Sequence, residues 1–322
     1  MTASGALKAV KSSGIISWKS CGRLQQTLKR FVEVSGKGLH SGKESTVRLW
    51  PEYARKGRYF DLNSNYSIPA SIDYAQQNSP LCTTLSSDRV KIRTVEHLLS
   101  ALEATGVDNC RIEISKNHID SGEEDDDCDF EVPILDGSAM GWVQAIEDAG
   151  LVVALDQLGN SCETMAPYLN EPVYISKNDS FLGAFPSSTL RITYGIEFPQ
   201  VPAIGCQWFS LAHLDDSLYV KEIASSRTFC IYEEVEQMRN RGLIKGGSLD
   251  NALVCSASKG WLNPPVHSNE PCRHKILDLV GDLSLFARFG NQGFPVAHVI
   301  VYKGGHALHT EFVRLLDESF KS

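Results

Sequence analysis

At about 3.6 residues per helical turn, His274, Asp278 and Asp282 in the run Arg273-His-Lys-Ile-Leu-Asp-Leu-Val-Gly-Asp fall on one side, with Ile276, Leu277, Val280 and Leu283 on the other. An imidazole and a carboxylate one turn apart can grip a metal ion, as paired histidines do in zinc hydrolases. An i,i+4 ion pair on a solvated helix has the same spacing, so the pair alone does not decide. Glu96-His97 adds a second cluster. His97 with His274 and Asp278 gives nitrogen and oxygen ligands from two elements and leaves a fourth position open for water, the coordination of a catalytic site. A metal there lowers the pKa of water from ~15.7 to about 7, and Glu96 beside it can take a proton as the water attacks a carbonyl. Departure of an amine needs an acid. His306, following a strand and the Gly304-Gly305 pair, is the candidate, with Asp282 holding its ring protonated near neutral pH. His309, His298, His267, His213, His118 and His40 read as surface or satisfied structural histidines.

These groups must be positioned by a fold, and the chain of 322 residues is long enough for two medium domains. Thr94 stands as an N-cap before Val95, Leu98, Leu99 and Leu102 at helical spacing, and Gly106 ends that helix. Alternating segments at 45–49, 58–62 and 110–114 read as strands, Pro133 to Gly137 as a turn and Ala139 to Ala149 as a second helix. Strands are expected again near Val173, at 190–196, 208–211 and 296–302, with a helix from Ser217 to Ala224. Strands and helices without regular alternation indicate an α+β fold. The stretch from Leu158 to Leu169 shows little periodicity, so residues 159–170 are assigned as a linker between a first domain at 29–158 and a second at 171–322.

The first thirty residues carry six Lys or Arg and no acid, the composition of an organellar transit peptide. Residues 1–28 are therefore expected to be a leader, mitochondrial first and chloroplast second. Asp120 to Asp129 holds seven acids in ten positions and reads as a solvated loop; it lacks the spaced glycine and closing glutamate of a calcium loop. No apolar run is long enough to span a bilayer. A net charge of −8 offers no basic face for nucleic acid. The nine cysteines form no Cys-x-x-Cys pair, and most of them read as small buried residues in a reducing compartment.

The segments Gly36-Lys-Gly-Leu-His-Ser-Gly-Lys, Thr94-Val-Glu-His-Leu, Pro133-Ile-Leu-Asp-Gly-Ser, Ser226-Arg-Thr-Phe, Gly246-Gly-Ser-Leu-Asp, the run at 273–282 and Gly305-His-Ala-Leu resemble, in order, the bacterial UDP-3-O-acyl-N-acetylglucosamine deacetylases of lipid A synthesis. The resemblance covers roughly residues 28–316. It implies two similar domains, each a β-sheet layer on helices, with the helices sandwiched between the sheets and the site at their junction. It further implies zinc on His97, His274 and Asp278, Glu96 as base, His306 as acid, Asp282 as its orienter and Thr228 as donor to the oxyanion. Phe229 and Lys275 would touch the acylated UDP-glucosamine, and an insertion at about 230–254 would receive the acyl chain along Ile231, Val235, Met238, Leu243, Ile244 and Leu249. A monomer acting on a small-molecule substrate is expected. A zinc-containing lipid- or sugar-nucleotide-binding protein without turnover, and hydrolysis of another acetylated amine, are the competing readings. The acidic run and the basic leader depart from the bacterial pattern and point to a eukaryotic organellar homologue.

Overall fold

The computed structural model describes residues 14–62, 66–77, 79, 81–87, 90–116 and 129–321. Two five-stranded sheets carry the architecture. The first runs in the order Val32–Lys37, Glu44–Pro51, Cys110–Lys116, Arg58–Asp61, Ser67–Pro69. The second runs in the order Val173–Lys177, Ser180–Pro186, Ala297–Tyr302, Arg191–Phe198, Gly205–Leu211. In each, the strand latest in sequence is inserted at the centre, antiparallel to one neighbour and parallel to the other. The two halves thus repeat one topology although their sequences show no obvious repeat.

Six helices lie among the described residues: α1 (Glu96–Ala104), α2 (Met140–Ala149), α3 (Asp216–Glu222), α4 (Tyr232–Asn240), α5 (Glu270–Leu283) and α6 (His306–Lys321). α1 buries Leu98, Leu99 and Leu102 completely, about 2 kcal/mol of transfer free energy for each. Past its end Gly106 adopts a φ of +74°, a conformation open to glycine. α6 buries Leu308, Phe312, Val313 and Leu316, one stripe at helical spacing. α5 is the surprise. The sequence predicts one packed and one open face, but every residue from Ile276 to Leu283 is buried. A helix enclosed on all sides runs through the centre of the molecule, and its polar residues face other protein rather than solvent.

α1 and α5 cross where Gly281 stands: a Cβ there would lie 2.1 Å from the carbonyl oxygen of Glu96. The absent side chain lets the two helices approach closely, which brings the two ends of the chain's chemistry together. Each half also carries a small three-stranded sheet. In the first it comprises Leu85–Ser87, Val90–Arg93 and Asp129–Glu131. In the second it comprises Phe229–Ile231, Leu253–Ser256 and Gly260–Trp261, where the first two strands are parallel and α4 crosses between them as a βαβ unit.

Several sequence expectations need correction. Residues 16–28 are not a detached leader: Ile16–Leu24 pairs with Glu163–Leu169, and Gln26–Leu28 pairs with Leu151–Val153. Ile16 and Leu28 are fully buried. The proposed linker therefore contains a strand, whose partner lies about 150 residues away and leaves no mark on local periodicity. Thr94 does not cap α1 by a side-chain bond; it sits at a φ of +59° with its hydroxyl on Glu131. The acidic stretch up to Cys128 lies outside the described residues, while Asp129 pairs with Arg93 at 2.6 Å. The eight described cysteines are all free. No described helix is long and apolar enough to cross a membrane.

Gly281→Ala should lower stability by roughly 1–3 kcal/mol, the range for an overpacked core, because neither helix backbone can give way to the added methyl. Urea unfolding measures this directly. An unchanged midpoint would mean that the two helices are not in the contact described.

Candidate metal and acid–base centre

α5 places His274 and Asp278 one turn apart, and the first turn of α1 brings His97 against them. One ligand atom from each of the three lies within 4.8 Å of the others. His274 Nδ1 lies 3.0 Å from the Ser226 carbonyl, an acceptor only, so this nitrogen carries the proton. Burial presses the pKa of His274 down to about 3, against the pull of Asp278, so the ring is neutral and Nε2 bears a lone pair. That lone pair faces Asp278 Oδ1 at 3.3 Å, and His97 Nε2 lies 3.7 Å from the same oxygen. Asp278 Oδ1 is buried and accepts no hydrogen bond, and neither does His97 Nδ1 have a partner. Two lone pairs opposed at this distance with no proton between them call for a cation. The donor set of two imidazoles and one carboxylate fits a divalent metal ion, with Ser226 orienting His274 from behind.

Asp278 also faces Lys275, whose ammonium lies 2.8 Å from Oδ2. Burial alone would raise the Asp278 pKa, but the positive charges of Lys275 and His306 beside it hold the carboxyl well below the usual range. Lys275 lies 5.6 Å over the ring of Phe229, which meets His274 edge-on at 6.5 Å. Thr228 sits between Ser226 and Phe229, pinned by its backbone: its N–H donates to Gly137 at 2.7 Å and its carbonyl accepts from Leu253 at 2.7 Å. Gly137 has room for no side chain, since a Cβ would lie 2.1 Å from Asn251 O. The Pro133–Gly137 turn of the first half thereby fixes Thr228 of the second.

On the other side of Asp278 stand the acid–base candidates. His306 Nε2 lies 3.8 Å from Glu96 Oε1 and 3.8 Å from Asp278 Oδ2, and its Nδ1 donates to Asp282 Oδ2 at 2.8 Å. His306 opens α6 rather than riding a loop. Burial works to lower its pKa, but the carboxylates of Asp282, Asp278 and Glu96 more than offset this and raise it to about 10. Burial lifts Glu96 to about 7, against the opposing charge of His306. A proton acceptor and a proton donor thus face each other beside the metal-competent cluster.

All nine expected site residues converge on this region, from both halves. Four participants escape the sequence reading. Glu270 bonds Arg227 through both backbone and guanidinium, at 3.0 and 2.9 Å, and holds the Ser226–Phe229 segment on α5. Thr83 bonds both Glu96 and Asp282. His309, read from sequence as a surface or satisfied structural histidine, is buried and satisfied: it donates Nδ1 to Asp282 Oδ2 at 2.8 Å, and Tyr194 meets its Nε2 at 3.0 Å. The i,i+3 spacing of His306 and His309 on one helix is the sequence signal that points to His309. The Gly36–Lys43 segment is tied from both sides: Glu131 accepts from His40 N and Ser41 N at 2.7 and 2.8 Å, while Lys245 and Gly246 donate to the carbonyls of His40 and Leu39.

A family profile described as UDP-3-O-acyl N-acetylglycosamine deacetylase matches residues 25–318. The chain is 61% identical over 306 residues to an Arabidopsis thaliana protein named probable UDP-3-O-acyl-N-acetylglucosamine deacetylase 1, mitochondrial, covering 95% of this chain and 91% of the relative. It is 44% identical over 296 residues to the UDP-3-O-acyl-N-acetylglucosamine deacetylase of Trichormus variabilis, covering 90% and 97%. The corresponding protein of Thermosynechococcus vestitus is 42% identical over 296 residues, covering 91% and 93%.

Metal analysis of the purified chain should find about one divalent ion per molecule. His274→Ala and Asp278→Ala should each lose it while retaining secondary structure by circular dichroism. Undiminished metal in both variants would place the ion elsewhere.

Proposed function

The chain belongs to the UDP-3-O-acyl N-acetylglycosamine deacetylase family and is a deacetylase of lipid A biosynthesis, and we propose that it works with zinc held by His97, His274 and Asp278. The reaction is hydrolysis of the N-acetyl group of UDP-3-O-acyl-N-acetylglucosamine to acetate and the free amine. The observation that carries this reading is the union of a three-ligand cluster with a base and an acid 3.8 Å apart beside it.

Bound zinc supplies Lewis-acid polarisation of water and of the amide carbonyl. The remaining steps fall to side chains of the chain. Glu96 takes a proton from the water whose oxygen attacks the acetyl carbon. The Thr228 hydroxyl donates to the carbonyl oxygen as negative charge builds there, a contribution of about 3 kcal/mol in comparable sites. His306, kept protonated and oriented by Asp282, gives its Nε2 proton to the nitrogen as the C–N bond breaks. Phe229 and Lys275 flank this point and bind the sugar-nucleotide, with Lys275 meeting phosphate charge.

The insertion supports the acylated substrate. α4 has no buried residue, and Val235, Met238, Leu243 and Ile244 are only half-buried. An apolar series that the protein does not cover itself is available to an acyl chain. The acid-free sequence ahead of the first strand, with Lys8 and Lys11, and the relatives named mitochondrial support organellar residence, in the mitochondrion before the chloroplast. The first domain, carrying the base, ends near residue 158, and the second carries the acid.

The test is acetate release from UDP-3-O-acyl-N-acetylglucosamine by the purified chain, before chelation, after it and with zinc restored. Turnover should vanish and return. Glu96→Gln and His306→Gln should each lower kcat by at least about 100-fold. The profile of kcat/KM should rise with pH as Glu96 loses its proton and fall as His306 loses its own. Both limbs lie below the values of the metal-free centre, because added positive charge favours the deprotonated forms. A folded, zinc-loaded chain that binds the substrate without releasing acetate would establish the binding-protein reading instead.

A further inference from the structure

Thr83 occupies a position between the base and the acid's orienter that neither motif reveals. Its backbone N–H donates to Glu96 Oε2 at 2.9 Å, its carbonyl accepts from Val95 N at 3.3 Å, and its hydroxyl donates to Asp282 Oδ1. The residue is 2% exposed, so none of these bonds competes with bulk water. Its hydroxyl oxygen also lies 3.2 Å from His306 Nδ1, but that nitrogen's proton is directed to Asp282 Oδ2 at 2.8 Å.

The proton inventory around Asp282 has one consistent solution. A carboxylate only accepts, so Thr83 Oγ1, His306 Nδ1 and His309 Nδ1 must all donate to it. With its proton on Nδ1, neutral His309 offers Nε2 as an acceptor to the Tyr194 hydroxyl at 3.0 Å. Gly304 leaves the room: a Cβ there would lie 2.6 Å from the Tyr194 hydroxyl and 3.0 Å from His309 Nε2. The two oxygens of Asp282 are therefore fixed from different directions, Oδ2 by the two histidines on α6 and Oδ1, among the described residues, by Thr83.

From this arrangement we infer that Thr83 is a positioning residue that sets the catalytic acid and the catalytic base in register with each other. Through its backbone it holds the Glu96 carboxylate. Through its hydroxyl it fixes the plane of Asp282, and so the direction of His306. Glu96 and Asp282 belong to different halves of the chain, and Thr83 is the short bridge between them. The inference rests on the acid and base roles proposed above, and Thr83 itself touches no reacting atom.

Thr83→Val removes the hydroxyl while keeping the β-branch and the backbone N–H; Thr83→Ser keeps the hydroxyl. With zinc-loaded full-length chain, Thr83→Val should lower kcat about tenfold or more with KM, zinc content and thermal midpoint unchanged, and Thr83→Ser should restore most of it. In an Asp282→Asn background the Thr83→Val substitution should cost little further, because the orienting carboxylate is already gone. Nitrogen-15 histidine NMR gives a readout that needs no turnover: the Nδ1 proton of His306 should exchange with solvent faster in Thr83→Val than in the unmodified chain and in Thr83→Ser. Losses that multiply in the double variant, a KM that rises in step, or a His306 proton that exchanges unchanged would overturn the inference. An unmodified chain that releases no acetate would sink the deacetylase reading instead, and the exchange measurement would then decide the role of Thr83 by itself.

Discussion

The enclosure of Glu96, Asp278 and Asp282, none more than 3% exposed, is the constraint around which the molecule is organised. Removing an ionised carboxylate from water costs several kcal/mol even after relaxation, and three in one place also repel one another. Nearly every local feature of the centre answers that cost. Asp282 accepts three hydrogen bonds, Asp278 faces Lys275 and two imidazoles, and Glu96 receives the Thr83 amide. Burial nevertheless leaves Glu96 hard to ionise, at about 7, a value suited to the base role proposed for it near neutral pH.

The duplicated topology explains how such a centre is assembled. Each half offers a helix that enters its layer before the last, central strand of its sheet, α1 in the first and α5 in the second. α1 brings Glu96 and His97; α5 brings His274, Asp278 and Asp282. Neither half alone holds the three-ligand cluster or both ends of the proton path. The contact at Gly281 sets the separation of the two helices and with it the distance from Glu96 to Asp278 and Asp282 on α5.

What the sequence discloses follows from the range over which its signals act. The i,i+4 relation of His274 and Asp278 is local, and the heptad-scale pattern of α5 suffices to put both ligands on one side of it. The amphipathic pattern of 95–102 likewise locates α1. The strands at 16–28 and 163–169 escape such reading because their reason for existing is each other, across about 150 residues. Thr83 is illegible for the same reason: a threonine after a cysteine, in a segment without periodicity, gains its role from Asp282, which lies 199 residues later. For His309 the sequence leaves surface and satisfied structural roles open, because the carboxylate that satisfies it comes from α5 and not from its own helix. The burial of α5 from Ile276 to Leu283 is hidden too, since its acids and its one histidine imitate a solvated face.

The charge at this centre also connects the metal to the substrate. Without a metal, the carboxylates of Glu96, Asp278 and Asp282 outnumber the cations Lys275 and protonated His306, and the pocket is net negative once Glu96 ionises. Such a pocket repels a nucleotide diphosphate. A divalent ion held by His97, His274 and Asp278 would reverse the sign, because the two imidazoles would contribute no charge of their own. A site with a second carboxylate ligand in place of one imidazole would hold a divalent ion through charge but would be neutral toward the substrate. On the proposed reading, two histidines and one aspartate would therefore do more than satisfy coordination: they would leave a positive surplus for an anionic sugar-nucleotide and for the negative charge that develops on the carbonyl oxygen.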